Sequence, residues 1–261
     1  MSERISCEPN DSDRPLHSTS RGAARTWDFA VVIPAHNEQE DIGRSLTSIV
    51  TSLDLASSRL GETAIVVVAD RCTDRTSQIA RDVLRDRSRA CVWECNAGTV
   101  GRAREVGVEI ARAALRTDHT HRVWIASTDA DTRVPQDWVM RQIGEADAGF
   151  EAVAGTVDIE DFSELPTGAR ERFRATYTDQ LPKHGPHGHV HAANMGIRLD
   201  AYDRAGGWGR LPRSEDRDLW TRLQARGTAV KATVDLTVMT SGRAFGRVPG
   251  GFAECLREKL A

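Results

Sequence analysis

An α/β fold with a mixed, mainly parallel sheet flanked by helices is what this sequence predicts, and three observations predict it. Short runs rich in β-branched residues alternate with segments whose apolar residues recur at helical spacing. Such strand–helix–strand alternation demands parallel pairing with helices over both faces of the sheet. Three of the runs also stop at polar or acidic clusters, as strands do where their carboxyl ends face a ligand.

FAVVIPA (29–35) is the first strand, and residues 39–53 place apolar side chains on one face of a helix. AIVVVAD (64–70) is the second strand, with a helix over 73–85 behind it. ACVWEC (90–95) and a helix over 101–115 follow, then HRVWIASTDAD (121–131), a strand ending on two carboxylates. The second half is less regular: EAVAGTVDI (151–159) reads as a strand, 168–178 and 217–224 as helices. Between those helices lies a loop rich in His and Gly, and TAVKATVDLTVMTS (228–241) supplies late strands that finish a mixed sheet. Residues 1–26 are polar, rich in Ser, Arg and Asp, and cannot bury enough apolar surface to offset their ordering entropy. They read as a disordered arm, with residues 27–261 forming a single domain without internal repeat or Ser/Gly linker.

Composition excludes several function classes. With 35 basic and 38 acidic residues the formal net charge is -3, so no global field grips nucleic acid or an anionic membrane, and any anion site is local. No apolar run approaches the ~20 residues of a membrane span, and the N-terminus lacks the apolar stretch of a secretory signal. Five cysteines, with Cys91 and Cys95 separated by three residues and no second pair, fit reduced thiols better than a zinc site. A cytoplasmic protein is expected, one that reaches any lipid-linked acceptor by peripheral docking at the inner membrane face.

The chemistry gathers at strand ends. The first strand runs into Pro34-Ala35-His36-Asn37-Glu38, the second into Asp70-Arg71-Cys72-Thr73-Asp74, the fourth into Asp129-Ala130-Asp131. An acid after a strand is often a helix cap, and Asp74 with Thr73 reads that way. Two carboxylates flanking a small residue instead suit a hard divalent cation, Mg²⁺ or Mn²⁺, held by oxygen. No Gly-x-Gly-x-x-Gly or Walker pattern follows the first strand, so phosphates must be met by metal and arginine. Arg243 and Arg247, four apart, offer such a match to diphosphate oxygens, as an alternative to solvated surface arginines. Four histidines between His184 and His191 match no standard zinc spacing, and glycines make the stretch a loop. Trp208 would stack on a sugar ring or pack beneath its own loop.

Taken together, VVIPAHNE, VVVADRCTDRT, NAGTVGRAREVG, STDADTRVPQDWV, HAANMGIRLDAYDRAGGW and SEDRDLWTRL resemble, in order, the family 2 glycosyltransferases of the GT-A fold. The resemblance implies a metal-dependent, inverting transfer from a nucleotide-diphosphate sugar, UDP by default and GDP as the alternative, to an unidentified acceptor hydroxyl. It places Pro34, Ala35, Asn37 and Glu38 in the first nucleotide-binding loop and Asp70 at the base. The family usually has two acids there; this chain has Ala69 then Asp70. Gly101 and Arg104 fall near base and phosphate, Asp129 and Ala130 near the ribose, and Asp131 at the metal with Asp129. Asn194 and Met195 would floor the sugar pocket, and His191 is the first candidate to complete the metal shell. Asp216 would be the general base with Glu215 beside it, while Asp218 reads as a first-turn acid complementing the helix dipole. A nucleotidyltransferase of the same sheet would need a Gly-rich loop with Arg and Lys after the first strand, which is absent. A non-catalytic nucleotide-sugar-binding protein would not need Asp216, and a zinc hydrolase on the histidine loop is the most distant alternative.

Overall fold

β1 (Trp27–Ala35) is the strand about which the sheet is organised. Its side chains alternate: Phe29, Val31 and Ile33 enter one apolar layer, Ala30 and Val32 the other, the period of two that a strand buried on both faces requires. β2 (Leu60–Asp70) and β4 (Val123–Ser127) flank β1 in parallel, and β3 (Ala90–Cys95) lies parallel outside β2. The chain therefore builds outward on one side of β1 and then crosses to the other. At that reversal the carboxyl ends of β1, β2 and β4 open a crevice. The computed structural model describes residues 26–117, 119–184 and 187–243, so Arg247 and residues 1–25 of the expected arm lie outside the described residues.

Beyond β4 the sheet becomes mixed. β7 (Met195–Arg198) runs antiparallel to β4, with Met195 opposite Ser127, and antiparallel to β6 (Ala152–Ile159). β8 (Val230–Thr240) is parallel to β6, and the two-residue β5 (Thr132–Arg133) pairs antiparallel with β8. The order is β3-β2-β1-β4-β7-β6-β8-β5.

One face is covered by α1 (Ile42–Leu55), α2 (Thr76–Leu84), α4 (Trp138–Asp147) and α5 (Ala169–Thr176). The other is covered by α3 (Val100–Leu115), α6 (Leu199–Arg204) and α7 (Glu215–Ala225). α1 buries Ile42, Leu46, Ile49 and Leu53, the stripe its spacing dictates. Among the described residues no helix is long and apolar enough to cross a membrane.

The differences from expectation have local causes. α1 starts at Ile42, not Gln39, because the Glu38 and Gln39 amides bond to Thr76 Oγ1 and Asp74 across the crevice. The strand expected to run to Asp131 stops at Ser127, leaving both carboxylates on a loop. The late apolar run is one strand whose register shifts between Ala154 and Thr156 of β6, so it needs no turn. α4, α6 and β7 were hidden inside motifs: four residues of β7, one a glycine, are too few to display a period.

Asn194 and Met195, expected at the floor of the sugar pocket, lie at the entry to β7. Both are fully buried. Asn194 sits in the 3₁₀ turn Ala192–Asn194, accepts the Trp138 indole N–H at 2.9 Å and donates to the Thr156 and Leu236 carbonyls at 2.8 Å each. Gly155 permits this: a Cβ there would lie 2.2 Å from both Asn194 Nδ2 and the Leu236 oxygen. The side chain ties α4, β6 and β8 to the turn that enters β7. Replacing it with alanine strands a buried indole donor and two carbonyls, so Asn194→Ala should lower unfolding free energy by about 3 kcal/mol in denaturant titration.

Candidate active site

The crevice is built from loops that bind each other before they can bind anything else. Asn37, at φ 56°, takes a left-handed conformation that asparagine tolerates. Its Oδ1 accepts the Thr73 N–H at 2.7 Å, and its own N–H points to Cys72 Sγ at 3.4 Å. His36 Nδ1 donates to the Asp70 carbonyl at 2.6 Å. Asp74 accepts the Thr76 N–H at 3.0 Å from one residue ahead of Arg75, the N-cap of α2, while Thr73, expected to share the cap, bonds to Asn37 instead. Pro34 and Ala35, the last residues of β1, pair in register with Val68 and Ala69 of β2, fixing where the Asn37–Glu38 loop begins.

Asp70 ends β2 as expected, only 7% exposed. One carboxylate oxygen accepts the Ala97 N–H at 2.7 Å and the Gly98 N–H at 3.3 Å. Arg71, also left-handed at φ 52°, closes back on the same carboxylate. Asp70 thus anchors the loop before α3, and the sequence reading had passed over Arg71. Three of the four described non-glycine residues with positive φ (Asn37, Arg71 and Ser214) border this crevice, where backbone strain is most often kept for function.

Arg104 is the hub of the floor. It rises from α3 with its side chain 3% exposed and donates to Asp129 Oδ1 and Glu215 Oε1 at 2.6 Å each and to Ser127 Oγ at 3.1 Å. Its guanidinium carbon lies 5.3 Å from the centroid of Trp208, itself buried. Trp208 therefore packs beneath its loop, against a cation. Arg104, expected near phosphate, spends its donors on protein carboxylates. Glu215, expected beside the base, is buried in the same pair. Gly101 makes room for the junction: a Cβ there would meet the Gly209 carbonyl oxygen at 2.2 Å. Burial works against the Arg104 cation, but Asp129 and Glu215 overcome it and hold the guanidinium above its usual range. Burial lifts the Asp129 carboxyl, Arg104 opposes the lift and Asp131 adds to it. The Asp129 side chain keeps 37% of its surface open, so its burial is that of a cleft floor and not of a dry core.

A second arginine holds the rim. Arg243 donates to both Glu38 oxygens, at 2.8 and 2.9 Å, and to Asp131 Oδ2. Burial opposes its charge, and Asp131 and Glu38 more than restore it, raising its pKa. Asp131 is thus already partnered by a cation. Ala130, between the two acids, is buried and gives the pair its backbone spacing. Among the described residues no three His, Cys, Asp or Glu side chains group so as to hold a metal ion. Two hard carboxylates do fit Mg²⁺ or Mn²⁺, which bind through one or two protein acids with water and phosphate oxygens completing the shell. The guanidinium seated on Asp131 demonstrates that this position favours positive charge.

Across the crevice, α7 begins at Ser214, left-handed at φ 57°. Asp216 Oδ1 accepts the Arg217 N–H at 2.7 Å and Oδ2 accepts the Ala192 N–H at 3.3 Å. Asp218 pairs with Arg222 at 2.7 Å, as a first-turn acid should. His191 lies within the field of Asp216, not with Asp129 and Asp131. Its Nε2 stands 3.1 Å from the Tyr177 hydroxyl, which also accepts the Val157 N–H at 3.3 Å. Tyr177 escaped the sequence reading; its signal was an aromatic at the end of a charged helix with histidines downstream.

Arg104→Ala strips two recessed carboxylates of their counter-charge and should cost about 3–5 kcal/mol in denaturant titration. Burial pushes His191 down to about 4, with Asp216 resisting, so below pH 6.5 the unfolded chain binds a proton the folded chain refuses. That contribution is complete above pH 6.5 and lost as pH falls towards 4, by about 1.4 kcal/mol per pH unit. His191→Gln should flatten the fall of melting temperature over that window; an unchanged profile would assign the acid sensitivity elsewhere.

Comparison with known proteins bears on the family and the fold. Residues 30–206 match the model for glycosyl transferase family 2, more than half of the chain. No curated protein matches the sequence. Among solved structures, TarS of S. aureus superposes with a TM-score of 0.61 at 15% identity, covering 82% of this chain and 36% of its own. The mannosyltransferase PcManGT from Pyrobaculum calidifontis, in complex with GDP-Man and Mn²⁺, gives 0.59 at 16% identity over 89% of this chain and 62% of its own. GalNAc-T7 with UDP, GalNAc and Mn²⁺ gives 0.57 at 13%, over 84% and 44%. The chain thus spans less than two thirds of the length of each. At these identities the superpositions establish the GT-A fold alone; the family match shows that the chain belongs to glycosyl transferase family 2.

Proposed function

We propose that the chain moves a sugar from a nucleoside-diphosphate sugar to an acceptor hydroxyl with inversion, Asp216 acting as the general base. The observation that carries this reading is the division of labour among the first-turn acids of α7. Glu215 is paired with Arg104 and Asp218 with Arg222, while Asp216 has no ion pair among the described residues and stays partly exposed. A base must be recessed enough to be positioned and free enough to take a proton, and only Asp216 meets both conditions.

The base of the donor would lie against the loops at Asn37 and Asp70, in reach of Arg71. Both UDP and GDP sugars are candidates: UDP by family resemblance, GDP because one structural neighbour is complexed with GDP-Man. The ribose would pass Asp129 and Ala130, and the diphosphate would lie between Asp131 and Arg243. Asp131 and Asp129 are the residues that would hold Mg²⁺ or Mn²⁺; bound there, the ion neutralises charge on the departing diphosphate. On the opposite side of the sugar the acceptor hydroxyl hydrogen-bonds to Asp216 Oδ. As the acceptor oxygen bonds to the anomeric carbon, its proton passes to Asp216 and the bond to the diphosphate oxygen breaks, releasing the nucleoside diphosphate. The N–H groups of Arg217 and Ala192 hold the carboxylate in one orientation, which is where positioning helps a weak base.

Thermal shift against UDP and GDP sugars with Mn²⁺ should give stabilisation by at least one; no shift with any nucleoside diphosphate would remove the donor-site reading. Asp216→Asn should keep nucleotide affinity and lose transfer by about 10²–10⁴-fold. Undiminished transfer by that variant would exclude Asp216 as the base.

A further inference from the structure

The Arg243 clamp has a property that the donor site, read as above, does not itself require. Its guanidinium fork takes both Glu38 oxygens and one Asp131 oxygen, and its side chain is only 14% exposed. Glu38 and Asp131 lie on the loops leaving β1 and β4, so one arginine from beyond β8 bridges the two strands at the switch in strand order. On the donor-site reading, Asp131 is also a ligand of the divalent cation. One oxygen of one carboxylate cannot favourably serve a guanidinium and a divalent ion together, since the two cations repel at contact distance.

We propose that Arg243 is an internal counter-cation that keeps the divalent ion from Asp131 until a diphosphate arrives. Resting on the donor-site reading, this makes Arg243 a positioning residue with two alternative partners. Without donor, the fork closes on Glu38 and Asp131. With donor, the diphosphate oxygens offer the fork an equivalent bidentate anion, Arg243 turns to them, and Asp131 is released to the ion. Metal and diphosphate then bind cooperatively, and by linkage each strengthens the other by the same factor. Glu38 is the parking partner: buried, with its amide fixed to Thr76 Oγ1 at 2.7 Å, it stays in place when Arg243 leaves. The arrangement would discriminate against a free metal ion and against a nucleoside monophosphate, neither of which offers the fork a diphosphate.

The test is the affinity for Mn²⁺ itself, read by electron paramagnetic resonance, with and without UDP, GDP or inorganic pyrophosphate and corrected for Mn²⁺ complexed by the diphosphate in buffer. For the unaltered chain, at least one diphosphate should tighten Mn²⁺ binding about tenfold or more. Arg243→Gln should bind Mn²⁺ alone several-fold more tightly than the unaltered chain and lose most of the coupling. If that variant does not melt cooperatively, Arg243→Met replaces it, removing the charge while keeping an apolar stem in the same space, with the same directions expected. Unchanged Mn²⁺ affinity on substitution, or equal affinity of the unaltered chain with and without diphosphate, would overturn the gate while leaving the donor site intact. Absence of Mn²⁺ binding under every condition would overturn the metal reading, and the gate with it.

Discussion

Arg104 is the side chain on which the two halves of the crevice depend. It leaves α3, crosses beneath the sheet's switch point and ends on Asp129 from the first half and Glu215 from the second. A guanidinium can do this because its donors diverge in a plane, so two carboxylates and the Ser127 hydroxyl are met without distortion. A lysine would satisfy one of them. The pairing fixes the first turn of α7 relative to the end of β4, and so fixes Asp216 relative to Asp131. Neither of those aspartates touches Arg104, yet their separation is set by it.

Much of the fold could be read from the chain because β1 to β4 obey the rules that sequence patterns rest on. Val31 and Ile33 alternate with Val32, and Ile42, Leu46, Ile49 and Leu53 fall on one helical stripe. Each pattern is local, and burial on both faces enforces it. The mixed half obeys no such rule: β7 is four residues long, and its place is set by Asn194 bonding to Trp138, Thr156 and Leu236, all distant in sequence.

The candidate site divides the same way. Asp70 and Asp216 sit at a strand end and a helix start where they were expected, since those ends are fixed by local signals, while Asp131 lies on the loop beyond the shortened β4. What a sequence does not display is who neutralises whom. Arg104 was read near base and phosphate and Glu215 beside the general base, and each faces the other. Arg243 was read for phosphate and rests on Glu38 and Asp131. Pairings across 111 and 205 positions leave no trace in spacing.

β7 runs against both of its neighbours. In a wholly parallel sheet, a segment entering a strand does so at the edge opposite the ligand crevice, and only departing segments can serve it. Reversing one strand brings an inbound segment, His191 to Asn194, to the edge from which β1, β2 and β4 depart, level with Ser127. The crevice is thereby walled from two directions of chain travel. The inbound wall can change its length and side chains without lengthening any βα loop on the nucleotide side, so the two walls are free to diverge independently across descendants of one sheet.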